Sequence, residues 1–234
     1  MKKIVISLGG SVLVPSLESN NISRYVSVLE RIAGKCRIFI VVGGGGEARR
    51  YIRVARDLGA GEATADELGI LVTRLNARLL VAGLGDAAYP RVAENYTEAK
   101  EFAETGRIVV MGGITPAQTT DAVSAVLAES VGADLLINAT SVNGIYSADP
   151  KKDTGAVRHE RLTPQELLDI ITGSRMDAGA NTVLDIVAGK VIERSGIPLL
   201  VLDGRDPENL YRAIVEGAYV GTIVCEESSN PLLS

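Results

Sequence analysis

Two kinds of block alternate along this chain. Short apolar runs rich in Val and Ile read as buried strands at 3–8, 37–42, 107–111, 135–138, 198–202 and 222–225. Between them, apolar residues recur at helical spacing near 22–32, 47–58, 66–84, 96–104, 119–131, 164–171, 182–195 and 207–216. Strands alternating with helices from end to end predict an α/β fold with a mostly parallel central sheet. No repeat, low-complexity tract or linker breaks the alternation, so residues 1–234 are expected to form one compact unit. The polar tail 226–234 is expected to fray.

Glycines cluster where strands end: Gly9-Gly10 after the first, Gly43-Gly44-Gly45-Gly46 after the second, Gly112-Gly113 after the third. In open α/β sheets ligands bind beyond the carboxyl ends of the strands. Four consecutive glycines between a strand and a helix leave backbone amides unobstructed where a helix N-terminus already favours anions. One Gly pair usually marks only a tight turn. Three at one sheet end favour a phosphate site.

The residues then narrow which phosphate site this is. Gly43 to Ala48 satisfies GxGxxA, the dinucleotide fingerprint, and Glu62 and Asp66 lie near the distance expected of its ribose-binding acid. The stretch 58–65 holds no strand to carry either acid, so that context fails. GxxxxGK[ST] occurs nowhere, which excludes a P-loop. The polar loop from Gly112 to Asp121 suits a helix cap at Thr119 or Thr120 with Asp121 in the first turn, and equally a phosphate or a flat polar base. The stretch 139–152 carries Asn-Gly and Asp-Pro turn signals beside Tyr146, Asp149, Lys151 and Lys152. A hairpin or a nucleotide contact explains it equally well.

Composition trims the alternatives. The chain has 234 residues, no Trp and two Phe, so aliphatic side chains must fill the core. A formal charge of −5 argues against a general nucleic-acid binder, and anions must be met by local amides and a few Arg or Lys. Cys36 and Cys225 are isolated and read as reduced, mostly buried thiols. No signal-peptide pattern and no uninterrupted apolar stretch of membrane-spanning length is present, which predicts a soluble, cytoplasmic protein.

Taken in order, Leu8-Gly9-Gly10-Ser11, the Gly43 loop, Thr119-Thr120-Asp121 and Thr140-x-Val142-Asn143-Gly144-x-Tyr146-x-x-Asp149-Pro150 resemble the amino-acid kinase family. Within it, the chain is most similar to the archaeal uridylate kinases. The resemblance extends through Gly69-Ile70-x-x-Thr73-Arg74-x-Asn76-Ala77 and the stretch 188–197, so it covers nearly the whole chain.

That resemblance implies a three-layer αβα sandwich, a homohexamer, and transfer of phosphate from ATP, with Mg²⁺, to UMP. By position it assigns Gly9, Gly10, Gly45 and Arg49 to the ATP phosphates, and Thr140, Tyr146 and Asp149 to adenosine. Gly44, Asp66 and the loop of Ile114, Thr115, Pro116, Ala117, Gln118, Thr119 and Thr120 fall to UMP, with Asp66 on the ribose hydroxyls. The N-terminal part is thus mainly the acceptor site and the C-terminal part mainly the donor site.

Two departures bear on mechanism. Many family members have a Lys where Ser7 stands, and bacterial relatives have one at the place of Asn138. Charge on the transferring group must then fall on backbone amides, Mg²⁺ and Arg49, Lys151 or Lys152. Arg49 is the catalytic candidate because it follows the glycine cradle by about one helical turn. His159, the one histidine, lies in a polar stretch far along the chain from the glycine loops, which counts against an isopentenyl phosphate kinase of the same fold. A non-catalytic nucleotide sensor is the remaining alternative.

Overall fold

The computed structural model describes residues 1–148, 150, 153–173 and 184–226. In chain order the elements are β1 (Lys3–Leu8), α1 (Gly10–Leu13), α2 (Ile22–Ile32), β2 (Arg37–Val42), α3 (Gly45–Asp57) and α4 (Glu62–Leu84). Next come α5 (Tyr96–Ala103), β3 (Val109–Met111), α6 (Thr120–Val131), β4 (Leu135–Thr140), β5 (Arg161–Leu162) and α7 (Pro164–Gly173). The chain continues through α8 (Ile186–Ser195), β6 (Leu199–Asp203), α9 (Glu208–Tyr211), a π-helical stretch Arg212–Glu216, and β7 (Gly221–Val224).

The strands form one sheet in the order β3-β2-β1-β4-β6-β7-β5. Neighbours from β3 to β6 are parallel, and β7 runs antiparallel to β6 with β5 alongside it. The chain starts at β1, moves outward through β2 and β3, then returns to place β4 on the other flank of β1. The order therefore reverses at β1, which is where open sheets of this kind open a crevice for ligands.

Strand periodicity explains the layers. Ile4, Ile6 and Leu8 of β1 join Ile38, Ile40 and Val42 of β2 in one core, with Tyr25, Leu29 and Leu80 from the helices. Val5, Phe39, Val41 and Met111 face the opposite side with Val123, Leu127, Leu167 and Val191. Each fully buried aliphatic side chain contributes about 1.5–3 kcal/mol relative to exposure. Alternation also turns Ser7 towards the second layer, where α6 begins.

α6 is fixed at both ends. Thr119 accepts the Ala122 N–H at 3.1 Å, the cap foreseen from sequence, and Gly132 closes the helix in the left-handed conformation. α4, with the turn after it, is long and apolar enough to span a bilayer. It instead packs on β2, β3, α2 and α3 and carries Asp66, Arg74 and Arg78 along its length, as a core helix does.

Several boundaries differ from the sequence reading. α1 was not foreseen, because two glycines after a strand read as a turn and not as the start of a helix. β5 escaped notice at only two residues. β3 is shorter than expected because Ile108 bridges to Ala88 outside the ladder. The expected helix at 182–195 starts at Ile186, capped by Asp185, and 182–183 lie outside the described residues, as does the tail beyond Glu226. Cys36 and Cys225 are both buried and form no disulfide, and burial pushes the Cys36 thiol up to about 11.

Candidate functional site

The first two glycine turns are packed backbone against backbone. A Cβ built on Gly10 would lie 2.3 Å from both the Gly43 carbonyl oxygen and the Gly45 nitrogen. One on Gly45, whose φ is +65°, would lie 2.7 Å from the Gly10 carbonyl carbon. Only glycine permits this approach and this backbone conformation. The Gly9 N–H donates to the Ala139 carbonyl at 3.0 Å and the Gly43 N–H to the Leu8 carbonyl at 2.9 Å, so both turns are extensions of the sheet. From α4, the buried Asn76 amide donates to the carbonyls of Gly43 at 3.0 Å and Gly44 at 3.3 Å. The carbonyls are thus held inward at the start of α3, an arrangement suited to anions.

The third turn is stapled to the same helix. The Gly113 N–H donates to Thr73 Oγ1 at 2.7 Å, and Arg74 Nε donates to the Gly113 carbonyl at 3.2 Å. The loop then leaves the sheet with Ile114 and Pro116 half-buried and Thr115, Ala117, Gln118 and Thr119 exposed. Ala117 has φ +62°, and its N–H donates to Asp66 Oδ2 at 2.8 Å. Beyond it the Thr119 hydroxyl contacts Asp185, and Thr120 opens α6. Asp66 and the acceptor-side loop, separated in sequence, are therefore brought together.

Beneath them lies a carboxylate that the sequence reading treated only as a helix-start residue. The Ser7 hydroxyl donates to Asp121 Oδ1 at 2.8 Å. Burial pushes the Asp121 carboxyl up to about 6; the Ser7 hydrogen bond opposes this, and the nearby Asp185 charge adds to it. The available signal was its place directly after Thr119-Thr120, opposite a strand position where relatives carry lysine. Asn76, Thr73 and Arg74 were likewise quoted as part of a pattern without a role; they hold the glycine turns.

On the other flank, Thr140 ends β4 beside Gly9, and its carbonyl accepts the Gly204 N–H at 2.8 Å. The buried Tyr25 hydroxyl donates to the Gly204 carbonyl at 2.5 Å; burial moves its pKa upward, so it stays a donor. Tyr146 is half-buried, donates to Asn143 Oδ1 at 2.7 Å and pairs with Arg158 across an antiparallel bridge. Ser147 and His159 extend that pairing through their backbones, so a hairpin-like turn is present. Next to Tyr146, the Ile145 N–H donates to Thr222 Oγ1 of β7 at 2.8 Å. Asp149, Lys151 and Lys152 lie outside the described residues. Arg49 sits exposed in the opening turns of α3 with no ion pair among the described residues.

Residues 2–203 match the model of the amino acid kinase family. The chain belongs to this family. It is 90% identical to the uridylate kinase of Methanoculleus marisnigri over 234 residues, the whole of both chains. Against the uridylate kinase of Methanospirillum hungatei the identity is 61%, covering 99% of this chain and 98% of that one. A crystal structure of uridylate kinase from Archaeoglobus fulgidus matches with a TM-score of 0.86 and 47% identity, covering 96% of this chain and 100% of that chain. Ser7 and Asn138 are the two positions at which the sequence departs from the lysines expected from the family resemblance. The two are register partners across β1 and β4, both buried, so the two lysine-replaced positions form one polar patch.

Proposed function

We propose that this chain transfers the γ-phosphoryl group of ATP to UMP, giving ADP and UDP. The observation that carries the reading is 90% identity along the full chain to a uridylate kinase. An oxygen of the UMP phosphate attacks the γ-phosphorus while the bond to the β,γ-bridging oxygen breaks and ADP leaves. The nucleophile is already anionic, so no catalytic base is required. What the protein must supply is proximity of two polyanions and stabilisation of the charge spread over the transferring group.

In this reading Gly9, Gly10, Gly45 and Arg49 hold the ATP phosphates, and Thr140, Tyr146 and Asp149 meet its adenosine. Gly44, Asp66 and residues 114–120 hold UMP. The contact between Gly10 and the Gly43–Gly45 backbone supports placing donor and acceptor phosphates on either side of one floor. Mg²⁺ accompanying ATP would supply positive charge to offset that of the phosphates. Residues 1–234 act as one domain, acceptor side first and donor side second, in the cytoplasm and in the supply of pyrimidine nucleotides for CTP.

The same reading includes self-association, as a hexamer by family resemblance. Its support is an exposed apolar face formed by Tyr51 and Val54 of α3 and Leu58 just after it, with Leu71, Leu75 and Leu79 of α4. These helices also carry Arg49, Asp66 and Asn76, so a second copy seated there would brace the walls of the site.

The deciding experiment follows ATP consumption with UMP, CMP, dUMP, AMP, isopentenyl phosphate and acetylglutamate. UMP is expected to be turned over best. Turnover of isopentenyl phosphate without UMP, or nucleotide binding without UDP formation, overturns the proposal.

A further inference from the structure

Ala117 is the one non-glycine residue with positive φ among the described residues. An L-residue with a Cβ resists the left-handed conformation, so something must hold it there. The loop around it offers little: Thr115, Ala117, Gln118 and Thr119 are exposed, and no fully buried apolar side chain lies between Gly113 and Asp121. Its anchors lie at the two ends. Thr73 and Arg74 grip Gly113, while the Thr119 side chain meets Asp185 and caps α6. Between these ends, among the described residues, the side-chain hold on the backbone is Asp66 Oδ2, which accepts the Ala117 N–H at 2.8 Å.

Asp66 is well placed for this. It stands in the second turn of α4, about two helical turns before Thr73 and Arg74 on the same helix. One rigid helix therefore grips the loop at two points. A carboxylate hydrogen bond to a backbone N–H is charge-assisted and stronger than a neutral one. Oδ2 is committed to the loop, and Oδ1 has no hydrogen bond among the described residues. An ionised carboxylate can accept several hydrogen bonds, so one side chain can serve the loop and a ligand together.

We infer that Asp66 is a positioning residue that latches the acceptor-side loop through the Ala117 amide before any nucleotide arrives. This rests on, and deepens, the reading of Asp66 and residues 114–120 as the acceptor site. The latch fixes the left-handed turn at Ala117 and so presets the wall that the acceptor meets. Affinity for the acceptor then includes a contribution made in the empty protein, because a loop already ordered costs less to order on binding.

The test is hydrogen exchange of residues 114–119 in the nucleotide-free protein, comparing the parent with Asp66→Ala and Asp66→Asn. Asn retains a carbonyl oxygen for the Ala117 N–H and loses the charge; Ala loses both. Asp66→Ala is expected to speed exchange of the Ala117 amide by roughly ten-fold or more, and Asp66→Asn by much less. Kinetics should follow the same rank: KM for UMP rises most in Asp66→Ala, partly recovers in Asp66→Asn, and KM for ATP stays near the parent value. Equal exchange at Ala117 in all three proteins overturns the latch, whatever UMP does. Because that measurement contains no nucleotide, its failure is distinct from a failure of the UMP reading, which the acceptor screen decides.

Discussion

Replacing Gly10 with alanine tests the packing on which the whole site depends. The added Cβ would lie 2.3 Å from the Gly43 oxygen, 2.3 Å from the Gly45 nitrogen and 2.5 Å from the Gly43 carbonyl carbon. Ordinary van der Waals contact starts near 3.4 Å, so the two turns must part by about 1 Å (3.4 less 2.3). All three atoms are backbone, and no change of rotamer can relieve the overlap. Gly43 is tied to β1 through the Leu8 carbonyl and to α4 through Asn76, so the strain spreads into the sheet and that helix. Overpacking of this kind costs about 1–3 kcal/mol of stability. A misplacement of about 1 Å in a site that works by positioning costs on the order of 10² in rate.

The assay is urea denaturation together with kcat for ATP and UMP. The control is Gly46→Ala in the same run of glycines. Its Cβ would meet nothing closer than the Pro15 carbonyl at 3.7 Å, so it should fold as stably as the parent. Gly10→Ala with unchanged midpoint and turnover would refute the idea that the two turns must touch. Equal damage from Gly46→Ala would show that the run tolerates no side chain anywhere, and that the Gly10 contact explains nothing specific.

Three further predictions follow. Arg49→Ala should lower UMP turnover by about 10²–10³ while leaving the urea midpoint in place, since the side chain is exposed; near-parental turnover would remove Arg49 from the chemistry. Leu75→Glu puts a charge on the exposed α3–α4 face, where Leu75 is 64% exposed, and should shift sedimentation towards smaller species; an unchanged profile would place any self-association elsewhere. The Asp121 carboxyl has an ordinary value of 3.8 and is raised to about 6 in the fold, so stability from its protonated form is full below pH 4 and lost as pH rises through 6. Asp121→Asn should therefore be more stable than the parent at pH 8, with the gap closing below pH 4 in urea titrations, and a constant gap would refute the shift.

Much of this was legible in the chain because strand periodicity is a local signal. β1 and β2 were bounded as observed, and the cap of α6 was narrowed to Thr119 or Thr120, of which Thr119 takes the role. The glycine clusters do fall together at the carboxyl ends of β1, β2 and β3. What could not be read was which backbone touches which. That Gly10 packs on Gly43 and Gly45, while a Cβ on Gly46 would have ordinary room, depends on the crossover that brings the ends of β1 and β2 together. The Ala117 turn was invisible for a related reason: an alanine in the left-handed region gives no compositional sign, and its partner lies 51 residues away. Asp121 was read only as a favourable first-turn acid, which it also is, because its contact with Ser7 joins the start of α6 to a strand 114 residues earlier.

The Ser7–Asp121 contact sharpens what the missing lysines mean. A lysine at position 7 would stand beside Asp121 and hold it ionised as one half of an ion pair. With serine there, a single hydroxyl offsets burial and the Asp185 charge only in part, and the carboxyl rises towards neutrality. Removing a cation from this patch therefore changes the remaining acid as well as subtracting a charge from the donor phosphates. The other lysine-replaced position, Asn138, lies directly across the β1–β4 ladder and is buried too. Both changes fall in one patch under the start of α6, so they alter one local electrostatic environment and not two separate sites. In the proposed site, transfer would lean on fixed backbone amides at the glycine turns, which Asn76, Thr73 and the Gly10 contact hold in place, and so should be unusually sensitive to anything that moves those turns.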